Sequence, residues 1–136
     1  MVTINIEYQG ELRCSAIHEP SGSSVITDAP VDNHGKGASF SPTDLVATAL
    51  GSCMATIIAI SAEKHDFDLS GMSITVKKHM ITSPERRIGK LETVIRIPQS
   101  GDEQLRLVLE RAAHACPVHK SMHADMELPI TFYWGT

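Results

Sequence analysis

Two cysteines stand in sequence contexts that suit thiol chemistry. Cys53 lies in the apolar stretch "ALGSCMATII", and Cys116 directly precedes a proline in "HACPVH". A free cysteine is also a common buried residue, so the first context by itself indicates either packing or reactivity. The whole chain contains three cysteines, too few and too odd in number for a secreted disulfide framework. Chemistry or packing is therefore their purpose.

The proline after the second cysteine predicts a helix start. Pro117 in the first helical position would make Cys116 the N-cap of a short helix that runs to about Ala124. Helix N-terminal amides and a nearby imidazolium lower the pKa of a thiol, and His114 and His119 are close in sequence. At a pKa of about 8.5, roughly 3% of a thiol is ionised at pH 7, whereas a pKa of about 6 gives roughly 90%. The context favours a thiolate at Cys116, with a plain helix-junction residue as the alternative.

The same segment raises the question of a zinc site with mixed ligands. His119 and His123 are four residues apart on the predicted helix, close to Cys116 and His114. A zinc site normally has a recognisable full ligand set, and this one would leave Cys53 unexplained. We therefore predict no metal and expect His119 to tune the thiol of Cys116.

A long helix must carry the first cysteine, because residues 45–62 contain no charged side chain. The predicted start is a capping box in which Ser41 caps, Pro42 takes the first position and Asp44 supplies the acid. The predicted end is the polar group at 63–65. Polar interruptions and an ordinary soluble composition argue against a membrane span and for a buried helix. At 1.5 Å per residue the helix would be about 30 Å long, so we expect a partner subunit to cover part of it.

Strands and a second helix make up the rest of the chain. Residues 105–112 show helical spacing after the break "PQSGD", which predicts an amphipathic helix that ends near Cys116. This order of elements predicts an α+β fold with antiparallel sheets, in a single domain over residues 1–136. Half-buried strands are predicted from apolar and polar alternation at 2–8, 72–76, 91–97 and 126–134, with one or two more within 10–28.

Composition narrows the class of protein. The chain has 136 residues, of which 42% are hydrophobic and 21% charged, as expected of one soluble globular domain. A net charge of -4 and the lack of a basic run argue against a nucleic-acid partner. The N-terminus alternates apolar and polar residues and does not show a basic region followed by an apolar run, so we predict no signal peptide and a cytoplasmic location.

Two motifs together resemble the OsmC/Ohr family, the osmotically inducible and organic hydroperoxide resistance proteins. They are "FSPTDLVATALGSCMATI" and, about 60 residues later, "HACPVHKSM". The resemblance covers nearly the whole chain. It implies an intertwined homodimer in which sheets wrap around two long central helices, with two active sites at the subunit interface. It also implies thiol-dependent reduction of organic hydroperoxides, with no bound cofactor and with an external thiol or dithiol as reductant.

The resemblance also implies roles for individual residues. Cys53 matches the cysteine that attacks the peroxide, and Cys116 matches the cysteine that resolves the resulting sulfenic acid. An apolar environment suits a hydrophobic peroxide but raises the pKa of the attacking thiol, so a cation must offset this penalty. Arg13, in the predicted strand "ELRCSAI", is the candidate, since the peroxidase branches of the family use an arginine to hold the thiolate. A solvated strand arginine is the alternative.

The helix start departs from the family pattern. Peroxidase members usually carry Glu directly after the proline of this start, as the partner of the arginine. Here that position is Thr43, and the acid follows at Asp44. A shift of one residue turns a side chain by about 100° around a helix, so we expect Asp44 to be the capping-box acid, with a role in orienting Arg13 as the alternative. The alternative function is therefore a non-peroxidatic dimer of the same fold that binds a small apolar ligand or senses redox state.

Overall fold

The strands form two separate three-stranded sheets. The computed structural model describes residues Met1–Thr136, which group into an N-terminal unit, Met1–Val46, and a C-terminal unit, Ala47–Thr136. The α+β class predicted from the sequence is confirmed. In chain order the elements are β1 Ile4–Gly10, β2 Arg13–His18, β3 Ser24–Asp28, a 3-10 turn Val31–Asn33, α1 Pro42–Glu63, β4 Ser73–Ile81, β5 Arg87–Ile97, α2 Glu103–His114, α3 Pro117–Ser121 and β6 Ile130–Trp134.

The N-terminal sheet is an antiparallel meander of β1, β2 and β3. The strands predicted at the N-terminus and within 10–28 are thus confirmed. The expectation that the first strand is half-buried is wrong for the single chain, because Ile4, Ile6 and Tyr8 are 50%, 69% and 65% exposed. The register places Ala16 and then Val25 beside Ile6 on the same side of the sheet. We call this side, defined by these five residues, the apolar face.

Helix α1 starts at the predicted capping box. The Ser41 Oγ accepts a hydrogen bond from the Asp44 N–H at 3.1 Å, and the Asp44 Oδ2 accepts one from the Ser41 N–H at 2.9 Å. These reciprocal bonds satisfy two amides that the first turn of a helix leaves without partners. The prediction that Asp44 is the capping-box acid is confirmed.

The long helix is only partly covered within one chain. By length and composition alone, the helix is long and apolar enough to cross a membrane. Within this chain, only 33% of its most apolar 18-residue window is buried. The hydroxyls of Ser52 and Thr56 donate to the carbonyls of Thr48 and Ser52 at 2.7 and 2.9 Å, so these polar groups are satisfied inside the helix. The exposed side can therefore be covered by an apolar surface without leaving these hydroxyls unpaired.

The C-terminal sheet has the order β4-β5-β6 and corrects one prediction. Strands β4 and β5 are antiparallel as expected, whereas β5 and β6 are parallel. A parallel pair needs a crossover connection of about a dozen residues or more, and the segment 98–129, which contains α2 and α3, supplies it. The sequence pattern within a strand does not determine the direction of its neighbour.

Two predicted boundaries also shift. Helix α3 ends at Ser121, not near Ala124, because Met122 has an extended backbone with φ −74° and ψ 152°. Strand β6 starts at Ile130, four residues later than predicted, after Pro129, which has no N–H to donate to a sheet.

The core of the C-terminal unit lies where α1 and α2 meet the sheet. A Cβ placed on Gly51 would lie 3.0 Å from the Val76 Cγ2, so a glycine here lets α1 approach β4 closely. The largest apolar side chains at 0% exposure in this unit belong to α1, β5 and α2: they are Leu50, Met54, Ile58, Leu91, Ile95, Ile97 and Leu109.

Candidate functional site

Cys53 lies on α1 at the margin of its buried side. The neighbouring Leu50 and Met54 are fully buried, whereas Cys53 is of intermediate exposure. The side chain therefore adjoins the apolar core and is still accessible from outside the chain. This combination suits a thiol that must meet a small apolar reactant.

Cys116 is the N-cap of α3, as the sequence predicted. Its backbone is extended, with φ −63° and ψ 141°, Pro117 follows at the start of the helix, and its Sγ accepts a hydrogen bond from the His119 N–H at 3.3 Å. The side chain is completely buried. Its position is fixed from both directions along the chain, since its N–H donates to the Ala113 carbonyl and its carbonyl accepts from the Lys120 N–H.

The fold brings the two cysteines together. Cys53 lies close enough to Cys116 to raise the pKa of its thiol, although the two residues are about 60 positions apart in sequence. Both are free thiols, as is the third cysteine, Cys14. A thiol close to a second thiol can resolve a sulfenic acid formed on that neighbour by condensing with it to a disulfide.

The expectation that Cys116 is a thiolate is wrong, because its pKa is shifted in the opposite direction. Burial raises the pKa of the Cys116 thiol, and the adjacent Cys53 raises it further. The N–H groups of His119 and Val118 oppose this effect without reversing it. Cys116 is therefore a protonated thiol at neutral pH.

The expectation that a charged His119 tunes Cys116 is also corrected. Burial lowers the pKa of His119, and the charges of His114 and Lys120 lower it further. The imidazole is therefore neutral at pH 7, and the contact of His119 with Cys116 is made by its backbone N–H. The His114 ring packs edge-on against the His119 ring, with 5.8 Å between the ring centroids.

The raised pKa of Cys116 predicts a loss of stability at alkaline pH. As pH rises above the ordinary thiol value of about 8.5, the unfolded chain loses this proton first, so the free energy of unfolding falls until the folded thiol also ionises. Below about pH 8 this thiol contributes no pH dependence. We expect urea unfolding from pH 8 to 10.5 to show a steeper decline for the wild type than for Cys116→Ala. Equal slopes would contradict the raised pKa.

Arg13 lies directly opposite Asp28 in the ladder of β2 and β3. Its Nη2 is 3.6 Å from the Asp28 Oδ2, and the Arg13 side chain is 35% exposed while that of Asp28 is fully buried. The hydrogen bond from the Ala38 N–H holds the pKa of Asp28 below its usual range, with help from the charge of Arg13 and against the effect of burial. Asp28 was not predicted from the sequence. The cross-strand register within 10–28 is the signal that could have found it.

The side chains of the histidine-rich segment are not gathered into a metal-ligand set. No group of three or more His, Cys, Asp or Glu side chains is placed to hold a metal ion. His123 instead lies 3.8 Å from Asp125, with both side chains about 70% exposed.

The chain was compared in sequence with protein families and with curated proteins. The family model described as OsmC-like protein matches residues 34–131. No curated protein sequence is a significant match to the chain.

Solved structures match over almost the full length. A candidate osmotic stress induced and detoxification response protein from Psychrobacter arcticus 273-4 is 44% identical, with a TM-score of 0.92 over 98% of this chain and 96% of that one. An organic hydroperoxide resistance protein OsmC from Legionella pneumophila is 14% identical, with a TM-score of 0.79 over 97% and 96%. An organic hydroperoxide resistance protein from Elizabethkingia anophelis, with thiocyanate bound, is 16% identical, with a TM-score of 0.77 over 98% and 97%. The last two show a shared fold.

Proposed function

We propose a function that proceeds from the family: this chain belongs to the OsmC-like protein family. The proposed function is that of a thiol-dependent peroxidase that reduces organic hydroperoxides. The observation that carries the proposal is the closeness of Cys53 to Cys116, which is sufficient for Cys53 to raise the pKa of the Cys116 thiol. The names of the Legionella pneumophila and Elizabethkingia anophelis proteins, which share the fold, supply the substrate class.

The reaction proceeds in three steps. The Cys53 thiolate attacks the terminal oxygen of ROOH, the O–O bond breaks, and the alkoxide takes a proton to leave as ROH, while Cys53 becomes a sulfenic acid. The Cys116 sulfur then attacks the Cys53 sulfur, and the sulfenic hydroxyl and the Cys116 proton leave as water. An external thiol or dithiol reduces the disulfide and is itself oxidised. No bound cofactor enters the cycle.

Burial and exposure support this assignment of the two thiols. Burial raises the pKa of Cys116, so its thiol is protonated at neutral pH and is not the initial nucleophile. Cys53 is the more accessible of the two. The attack on the peroxide therefore falls to Cys53 and the resolution to Cys116.

Arg13 is the proposed cation that supports the Cys53 thiolate. A thiolate beside apolar side chains needs a positive charge to offset its desolvation. Arginine suits this role because its guanidinium stays charged and keeps donors available after it has made one ion pair. Arg13 has such a partner in Asp28 and remains partly exposed.

The functional form is proposed to be a cytoplasmic homodimer. The apolar face of the N-terminal sheet and the uncovered side of α1 are too extensive for one soluble chain to leave in water. A second copy that covers these surfaces explains both features, and it matches the family's pairing of two long helices. We propose no membrane and no nucleic acid as partner.

Intact mass tests the peroxidase directly. One equivalent of cumene hydroperoxide is expected to lower the mass of the reduced protein by about 2 Da, the two hydrogens lost on disulfide formation. Thiol counting should fall from three to one, and peptide mapping should place the disulfide between Cys53 and Cys116. Hydrogen peroxide serves as the comparison oxidant.

The same experiment distinguishes the peroxidase from a second candidate function. In that alternative, the protein is a dimer of this fold that binds a small apolar ligand or senses redox state. The use of Asp44 as the capping-box acid, with Thr43 at the position of the family's Glu, favours this alternative. An unchanged mass with three free thiols would contradict the peroxidase. Ligand binding would then appear as a rise in the thermal midpoint.

A further inference from the structure

Asp28 is a fully buried carboxylate with an incomplete set of partners. Its Oδ2 accepts a hydrogen bond from the Ala38 N–H at 2.9 Å, while its Oδ1 is buried and has no hydrogen-bond partner. A buried carboxylate needs a counter-charge, because desolvation otherwise favours its neutral form. The guanidinium of Arg13, 3.6 Å away, is that counter-charge.

The segment before Arg13 is held in a strained conformation. Glu11 and Leu12, the two residues of the β1–β2 turn, both have positive φ, 53° and 63°, although neither is glycine. The Leu12 carbonyl accepts a hydrogen bond from the Ala29 N–H, next to Asp28. Contacts from Asp28 and from the residue that follows it therefore hold both the guanidinium of Arg13 and the backbone before it. Strained backbone of this kind is concentrated at functional sites.

Arg13 also remains able to bind a further group. Its side chain is 35% exposed, and a guanidinium has five N–H donors, of which a contact with one carboxylate oxygen uses only part. The buried carboxylate thus anchors one side of the guanidinium and leaves the other side free to meet an anion.

We propose that Asp28 is a positioning residue of the peroxidase reaction, which holds the Arg13 guanidinium in the orientation that supports the reacting anionic sulfur. The proposal rests on the proposed function. Asp28 touches no reactant and acts only through Arg13.

The test is a double-mutant cycle with Asp28→Asn, Arg13→Gln and the double variant. Asparagine keeps an oxygen for the Ala38 N–H and removes the charge. The readout is the pH profile of Cys53 alkylation by iodoacetamide, mapped by peptide mass, alongside kcat/KM for cumene hydroperoxide. Each single variant is expected to raise the alkylation midpoint by about one pH unit, and the double variant no further than Arg13→Gln alone.

Three results would overturn the proposal. These are an unchanged profile in Asp28→Asn, two shifts that add in the double variant, and a lowered midpoint in Asp28→Asn. The last is the result expected if Asp28 acted only as a negative charge near the thiolate. If Asp28→Asn does not fold, Asp28→Ser, whose hydroxyl can accept from the Ala38 N–H, takes its place with the same expected outcome.

A matched control lies in the same turn. Glu11 makes an exposed ion pair with Lys36 at 3.4 Å, with side chains 71% and 64% exposed, so Glu11→Gln also removes one charge from a pair. It is expected to leave the alkylation profile unchanged. Coupling of Asp28 to Arg13 in the alkylation profile without any peroxide turnover would overturn the proposed function, and would retain only the positioning of Arg13 toward the Cys53 sulfur. Turnover without coupling would overturn this inference alone.

Discussion

Replacing Cys53 with serine is expected to lower kcat/KM for cumene hydroperoxide by at least about 1,000-fold. The alkoxide form of serine is inaccessible at neutral pH, and its oxygen is a far poorer nucleophile than a thiolate toward the O–O bond. The substitution also removes the sulfur that the nearby Cys116 would resolve. Peroxide consumption with an added dithiol measures the loss.

Two further cysteine variants make this prediction specific. Cys116→Ser should still react once with peroxide, and its sulfenic acid at Cys53 should accumulate and be labelled by dimedone. Cys14, opposite Tyr8 and Thr27 in the N-terminal sheet, is the matched control, and Cys14→Ser should keep wild-type turnover. Full activity in Cys53→Ser would contradict the proposed mechanism.

Placing a lysine on the apolar face should weaken the proposed dimer. Ile6 is 69% exposed in the single chain, at the centre of β1. If a second copy covers this face, Ile6→Lys loses about 1.5–3 kcal/mol of apolar burial and leaves a charge to be desolvated in the interface. The dissociation constant of the proposed dimer is then expected to rise at least about tenfold. Light scattering after size-exclusion chromatography, over a range of protein concentrations, measures the change.

The neighbouring position supplies the control for this variant. Asn5 lies on the other side of β1, because successive side chains of a strand point to opposite faces. Asn5→Lys introduces the same side chain one residue away and should leave the proposed dimer intact. A monomeric wild type, or equal dissociation of both variants, would contradict the proposed interface.

Local patterns of residues determine much of the fold. The capping box at Ser41 and Asp44 and the N-cap at Cys116 depend on residues within three positions of one another. Their hydrogen bonds are short-range, so the sequence contains all the information they need. The alternation and helical spacing of apolar residues likewise indicate α1, α2 and most strands, and with them the α+β class.

Strand direction and strand burial lie beyond these patterns. Alternation reports which residues share a face of a strand, but not which strand lies beside it or what covers it. The parallel pairing of β5 with β6 follows from the path of the connection through α2 and α3. The exposure of Ile6 depends on which surfaces, in this chain or another, pack against β1.

The sequence by itself determined that Cys53 sits within an apolar helix and that Cys116 starts another helix. Only the tertiary structure brought the two thiols close together, made the pKa of Cys116 rise, and paired Arg13 with the buried Asp28. The physical reason is the sequence separation of the interacting groups. A cap depends on neighbouring amides, whereas desolvation and ion pairing depend on groups that the fold brings together from distant positions in the chain. The amides at a helix start favour a thiolate, but at Cys116 complete burial outweighs them.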